Sequence, residues 1–291
     1  MNCNLCPRGC NIDRNSALGY CQKSNEAEIS KVMLHSGEEP YLSGDGKSGA
    51  IFFAGCNLKC VYCQNYSISR GTGKRVSAQT IANLFVQLEQ AGAANIDLVT
   101  PTHYAAQIVE AIKIYRPQIP IVYNCGGYET PEVIKELCNY VDVFLFDLKY
   151  HSNELAIKYS SAPHYFDYAT KSILTAVKNK PNVWIGDKLV QGVAIRHLCL
   201  PSHTTDSFKV IDWLSENTPA SSPISIMGQY TPCGDAKKYE EINRPLKPLE
   251  YKAIISHAKK LKNNVVLVQE LSSATEDMIP DFNHQDNKFI Y

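Results

Sequence analysis

From residue 50 onward the chain alternates short, nearly unbroken apolar runs with longer stretches in which apolar residues recur every three or four positions. The runs cover 50–54, 96–100, 119–124, 141–148, 193–200 and 224–227, with a further short one at 265–268. Apolar runs without polar alternation predict strands covered on both faces, as in a parallel sheet. Between them, Ile81, Leu84, Phe85 and Leu88 share one helical face, as do Ala105, Ile108, Val109 and Ile112. The same spacing recurs in Val133, Ile134 and Leu137, in Phe208, Ile211 and Leu214, and in Tyr251, Ile254, Ile255 and Ala258. Ser77 or Thr80 suits a helix cap, and Pro131 suits a first turn. Residues 152–180 predict two helical pieces divided near Pro163. Strand and helix thus alternate, which implies α/β architecture.

The rest of the chain lacks this rhythm. Residues 1–34 carry four cysteines and read as a metal-binding appendage. Residues 35–49 are turn-rich and read as a Gly-rich connector, 50–268 as the main domain, and 269–291 as a polar tail that drapes over it or frays. Within the connector, Glu38, Glu39 and Asp45 could serve as site acids, and solvated loop charges are the expected reading.

Composition narrows the function classes. The 29 basic and 29 acidic residues cancel, so no global field favours nucleic acid or an anionic membrane surface, and neither partner is expected. The absence of a long apolar run and of a charged-then-apolar leader leads us to expect a soluble, cytoplasmic protein. Eleven cysteines without a secretory leader read as metal ligands rather than disulfides.

Two cysteine sets carry the chemistry. Cys56, Cys60 and Cys63 follow the first strand directly, in Gly55-Cys-Asn-Leu-Lys-Cys-Val-Tyr-Cys63. Zinc and [4Fe–4S] sites usually take four protein ligands, and here the local count stops at three. A cluster held this way leaves one iron open to a chelating small molecule; a zinc knuckle is the alternative. Cys3, Cys6, Cys10 and Cys21 form the second set, too sparse in apolar residues for a core, and predict a structural zinc site or an auxiliary iron–sulfur cluster.

In parallel α/β folds chemistry gathers at the C-terminal strand ends. Those ends deliver Thr100, Thr102 and His103, then Asn124, then Asp147 and Lys149, then Arg196 and His197, and lastly Gln229 and Tyr230. Asp147 and Lys149 share one side of a strand end and suit either an ion pair or a site. Arg196 inside an apolar strand needs an anionic partner, which favours a site role. His197, on the opposite face, is expected to pack at the surface. Cys125, Cys138, Cys199 and Cys233 read as small hydrophobes, with Cys233 placed by its loop to approach the site.

Cys56-x3-Cys60-x-Tyr62-Cys63 resembles the signature of the radical S-adenosylmethionine (SAM) superfamily, Cys-x3-Cys-x-aromatic-Cys. The resemblance implies a partial (β/α)6 barrel, a [4Fe–4S] cluster on the three cysteines, and SAM chelating the open iron. It also implies reductive cleavage of SAM to a 5′-deoxyadenosyl radical that abstracts hydrogen from a substrate. Asp147-x-Lys149 and the Arg196 strand are similar to the activating enzymes of glycyl-radical enzymes. Closer still is a pyruvate formate-lyase activating enzyme-like branch, through Cys-x2-Cys-Pro-Arg-x-Cys (3–10), Leu-His-x-Gly-Glu-Glu-Pro (34–40) and Val-Thr-Pro-Thr-His-Tyr (99–104). The likeness implies Asp147, Lys149 and Arg196 as catalytic residues. It implies Tyr62, Thr100, Thr102, His103, Asn124, Asp147 and Lys149 as cofactor-binding residues. The implied partners are a glycyl-radical enzyme or other protein substrate, and a reductant such as flavodoxin or ferredoxin. Two features depart from the pattern: Thr100-Pro-Thr-His103 replaces the usual Gly-Gly-Glu, and the four-cysteine unit is extra. The rival expectations are a small-molecule or other peptide substrate, and a non-enzymatic iron–sulfur protein.

Overall fold

The computed structural model describes residues 3–271, 282 and 289–291. Its strands are β1 (Ala27–His35), β2 (Ser48–Phe53), β3 (Lys74–Val76), β4 (Ile96–Val99), β5 (Ile121–Cys125), β6 (Val143–Asp147), β7 (Val183–Ile185), β8 (Lys188–Leu198), β9 (Ile224–Met227) and β10 (Val266–Val268). Its helices are α1 (Pro40–Ser43), α2 (Tyr66–Ser69), α3 (Ala78–Gln90), α4 (Ala105–Ile114), α5 (Pro131–Leu137), α6 (Asn153–Ser160), α7 (Tyr165–Asn179), α8 (Thr204–Asn217) and α9 (Pro248–Ala258). The main sheet runs β10-β9-β8-β6-β5-β4-β2-β1-β3 and its two ends do not pair, so the barrel is open. Strands β2, β4, β5, β6, β8 and β9 are parallel in sequence, as the apolar runs predict, and β10 adds a parallel edge.

Alternation along the strands sorts side chains onto two faces. Tyr123, Phe144, Phe146, Val193 and Ile195 belong to the large core beneath the helices, while Val122, Val143, Leu145 and Ala194 belong to a separate cluster on the inner face. The same parity puts Asp97, Asn124, Asp147 and Arg196 on the inner face and His197 on the helix face. His197 is therefore not at the surface: it is buried beneath α8, with Nδ1 2.7 Å from the Leu148 carbonyl and Nε2 2.9 Å from Ser207 Oγ.

Two expected segments fold differently. The stretch 1–34 is not all appendage, because β1 pairs antiparallel with β2 and with β3. Its apolar pattern is broken by Glu28 and Lys31, which are buried, and Glu28 is neutralised by Lys23 at 2.6 Å. The stretch 35–49 is not a bare connector. Tyr41 and Leu42 of α1 are buried against the inner-face cluster, Tyr41 Oη lies 3.1 Å from Ser225 Oγ, and Asn95 Nδ2 donates to the Leu42 carbonyl at 3.0 Å. Complete barrels fill their interior with layered strand side chains. Here α1 fills it, and burying two large apolar side chains contributes roughly 1.5–3 kcal/mol each.

Most of the tail, 272–281 and 283–288, lies outside the described residues. Phe282 meets the ring of Phe52 at 5.4 Å between centroids, and Phe289 is buried in the large core. Among the described residues no helix is long and apolar enough to cross a membrane.

Candidate active site

The cysteine loop begins at Gly55, whose φ of +85° suits glycine. A Cβ there would sit 2.6 Å from Lys23 Cγ and 2.9 Å from the Cys21 carbonyl, so the N-terminal unit packs directly against the turn. The loop is pinned to the end of α6 by Lys59 N–H to the Ser160 carbonyl (3.0 Å) and Val61 N–H to the Tyr159 carbonyl (2.8 Å). Leu58 N–H donates to Cys56 Sγ at 3.3 Å, and Ser160 Oγ donates to Cys60 Sγ at 2.9 Å. The Tyr62 hydroxyl meets the Tyr150 hydroxyl, which lies 2.7 Å from Ser160 Oγ, so Tyr62 supports the loop through a hydroxyl chain. Cys233 Sγ donates to the Tyr62 carbonyl at 3.1 Å and braces the loop from behind.

All three thiols line one cavity of about 240 Å³. Burial, then the neighbouring Cys60 and Cys63, pushes the Cys56 thiol far up; burial and Cys60 push Cys63 up to about 12. Three thiolates cannot share that space without a strong positive centre, and an iron–sulfur core supplies one. Among the described residues no three Cys, His, Asp or Glu side chains converge closely enough to hold a single metal ion. A multi-iron core, whose metals occupy separate corners, does not require such convergence. Three thiols open toward a polar cavity thus fit a cluster with one free iron better than a zinc knuckle.

The cavity wall is an ion network. Arg196 Nε donates to Asp147 Oδ1 at 2.8 Å, Arg196 Nη2 to Asn124 Oδ1 at 2.6 Å, and Lys149 Nζ to Asp147 Oδ2 at 2.6 Å. Burial alone would raise the Asp147 carboxyl, but Arg196 and Lys149 outweigh it and hold it at about 2. Thr100 lines the cavity with φ +60°, an uncommon conformation for a β-branched residue and of the kind that clusters at sites. Of the residues singled out in the sequence, Tyr62, Thr100, Asn124, Asp147, Lys149 and Arg196 line this cavity with the three cysteines. Thr102 and His103 are not among the lining residues. Thr102 donates to Glu129 Oε1 at 2.5 Å, and His103 Nε2 lies 2.7 Å from the Ala54 carbonyl, its ring pushed by burial to about 3 and so neutral. These two residues brace the loops behind the site.

Sequence reasoning missed the acids. Glu38 and Glu39 are not solvated loop charges: they line the cavity, and Glu39 Oε2 lies 3.8 Å from Arg196 Nη1. Asp45 alone of the three is exposed. Burial pushes Glu38 and Glu39 up to about 8; Asp97 adds to the effect on Glu38 and Glu38 to that on Glu39, while Arg196 opposes both. Asp97, buried beside them, is raised to about 7. The one signal was Tyr41-Leu42, an apolar pair inside a turn-rich stretch that needed something to bury it.

In the N-terminal unit Cys10 and Cys21 approach one glycine, and, as in the first set, no three of Cys3, Cys6, Cys10 and Cys21 converge closely enough to hold a single metal ion. A Cβ on Gly19 would lie 3.3 Å from Cys21 Sγ and 3.8 Å from Cys10 Sγ, and Tyr20 N–H donates to Cys10 Sγ at 3.3 Å. Burial pushes Cys6 up to about 12. Arg8 clamps the unit to the barrel: it stacks over Tyr20 at 3.8 Å and donates to the Asn57 carbonyl at 2.7 Å and the Ser161 carbonyl at 2.5 Å.

A family model described as the Radical SAM superfamily matches residues 50–211. The chain is 30% identical over 276 residues to Uncharacterized protein MJ0674 of Methanocaldococcus jannaschii, covering 91% of this chain and 76% of that one. Among solved structures it is similar to Streptococcus suis SuiB bound to precursor peptide SuiA (TM-score 0.53, 13% identity, 80% of this chain and 51% of SuiB). It is also similar to methylornithine synthase, PylB (TM-score 0.50, 16% identity, 72% of this chain and 60% of that one). The chain spans about half the length of SuiB, 51%.

Proposed function

Because the chain belongs to the radical SAM superfamily, a family that uses a [4Fe–4S] cluster and SAM, we propose that it performs reductive SAM cleavage and hydrogen abstraction in the cavity beneath Cys56, Cys60 and Cys63. The observation that carries this is the meeting of three buried thiols and the Asp147–Lys149–Arg196 network in one cavity. When bound, the cluster supplies one electron and SAM the hydrogen-abstracting radical. Asn124, Asp147 and Lys149 offer acceptors and a donor to the polar groups of SAM. The hydroxyl chain from Tyr62 to Ser160 fixes Cys60, and Phe52, Val99 and Leu198 exclude water. An external one-electron donor of the flavodoxin or ferredoxin class feeds the cluster. SAM binding is tested by electron paramagnetic resonance of the reduced, reconstituted protein: SAM should change the cluster spectrum, and an unchanged spectrum contradicts the proposal.

Proposed alongside it is a second metal site on Cys3, Cys6, Cys10 and Cys21, zinc or an auxiliary cluster, separate in ligands from the first; a single zinc would draw the thiols together, whereas a cluster takes them further apart.

Two substrate readings follow. Asp147-x-Lys149 and Arg196, in the order of glycyl-radical activases, support abstraction from a glycine Cα of a partner protein. The buried acids Glu38 and Glu39 favour the second, a small molecule or peptide side chain, because a glycine loop has no use for them. Incubation with candidate partners distinguishes the two: a glycyl-radical doublet supports the first, and SAM turnover coupled to a modified small molecule supports the second.

A further inference from the structure

The acids at the far end of the cavity meet few donors beyond one another: Asn124 Nδ2 donates to Asp97 Oδ2 at 3.3 Å, and Glu38 lies against both Glu39 and Asp97. Glu38 Oε2 and Asp97 Oδ1 are buried with no hydrogen-bond partner, and so are Gln229 Oε1 and Gln269 Oε1. Glu38, Gln229 and Gln269 line the cavity itself. In the ionised acids and the two amides each of these orphans is an acceptor oxygen, and a buried acceptor left unmade destabilises the fold. The facing charges come from every surrounding strand: Asp97 from β4, Asp147 and Lys149 at the end of β6, and Arg196 from β8. Arg196 already serves Asp147 and Asn124 directly and reaches Glu39 only at 3.8 Å. Lys149 is taken by Asp147 at 2.6 Å. Apart from the Asn124 amide on Asp97, Glu38, Glu39 and Asp97 therefore share what remains of one guanidinium.

We propose that this end of the cavity, between Glu38, Glu39 and Asp97, takes a positively charged nitrogen of the substrate, an ammonium or guanidinium group. The inference rests on the reading above, in which SAM occupies the cysteine end. The two ends are electrically distinct: the Lys149 side chain lies with Leu58 of the cysteine loop around Gly126, whereas Arg196 Nη1 reaches toward Glu39 at 3.8 Å. A nitrogen with several N–H groups satisfies more than one orphan oxygen at once and restores charge balance. A metal ion is a poorer occupant, since among the described residues no three acids converge on one point. Burial without such a partner pushes Glu38 and Glu39 up to about 8, so the empty site holds protons that the cation displaces.

The test is calorimetric titration of the reconstituted, SAM-loaded protein with n-butylammonium, n-butylguanidinium and, as the neutral isostere of the ammonium, 1-butanol. The cations are expected to bind and the alcohol not. The Glu38→Gln/Glu39→Gln variant should bind the better cation roughly tenfold more weakly or worse. Equal binding of alcohol and cation, no cation binding to the unaltered protein, or undiminished binding by the variant overturns the proposal; the first two need no variant to fold. SAM is titrated into both proteins as well. If SAM weakens by the same factor as the probe, the acids hold SAM's own ammonium and the substrate assignment is overturned. A protein that cleaves SAM but ignores cations refutes this inference alone; one that binds cations but never cleaves SAM keeps the cation site and refutes the function.

Discussion

Arg196 Nε and Asp147 Oδ1 meet at 2.8 Å on adjacent strands, paired in register, with both side chains largely buried. That one bond ties the fifth strand of the parallel series to the fourth and turns Arg196 toward Asn124 and Glu39. Removing one partner of a buried pair leaves the other charge stranded. Arg196→Met is therefore expected to cost about 3 kcal/mol in urea unfolding, and, because Lys149 also pairs with Asp147, only Arg196→Met/Asp147→Leu/Lys149→Met to recover much of it. A triple variant as unstable as the single would contradict this account of the wall.

The buried acids give the protein a defined pH response. Glu38, Glu39 and Glu129 stand at about 8 and Asp97 at about 7, above ordinary carboxylate values, with burial the largest cause in each. The folded chain thus binds protons that the unfolded chain has lost, and stability falls as pH rises toward 8. Buried His103 and His197, whose values burial lowers, act in the opposite sense, but only up to the unfolded histidine value of about 6.5. Between about 6.5 and 8 the carboxyls act without that opposition. The urea midpoint of the cofactor-free protein should fall over that window, and more shallowly in Glu38→Gln. A flat or rising midpoint would contradict the burial of these acids.

The parallel strands were legible because their runs are apolar on both faces, and period-2 alternation was enough to put Asp147 and Lys149 on one side. The cysteine loop was legible because ligand spacing is local. What was not legible depends on distant partners. β1 runs with β2 despite Glu28 and Lys31 breaking its apolar pattern, and Glu38 and Glu39 looked solvated because the plug that buries them, Tyr41-Leu42, is only two residues long. Thr102 and His103 sat at the right strand end, but the turn starting at Thr100 aims them behind the cavity, toward Glu129 and Ala54.

The N-terminal unit should hold metal on its own ligands. The Cys56→Ala/Cys60→Ala/Cys63→Ala protein is expected to retain the metal bound by Cys3, Cys6, Cys10 and Cys21. Elemental analysis checks this: zinc without iron identifies a structural zinc site, and iron with sulfide an auxiliary cluster. A metal-free triple variant means that the four thiols do not form an independent site.

The central claim is that Cys56, Cys60 and Cys63 hold a cluster at which SAM is cleaved. The most direct measurement is 5′-deoxyadenosine formation by the anaerobically reconstituted protein given dithionite and SAM. The account predicts product that depends on the reductant and falls to background in Cys60→Ser. No product from protein with a fully loaded cluster, or undiminished product from Cys60→Ser, would contradict it.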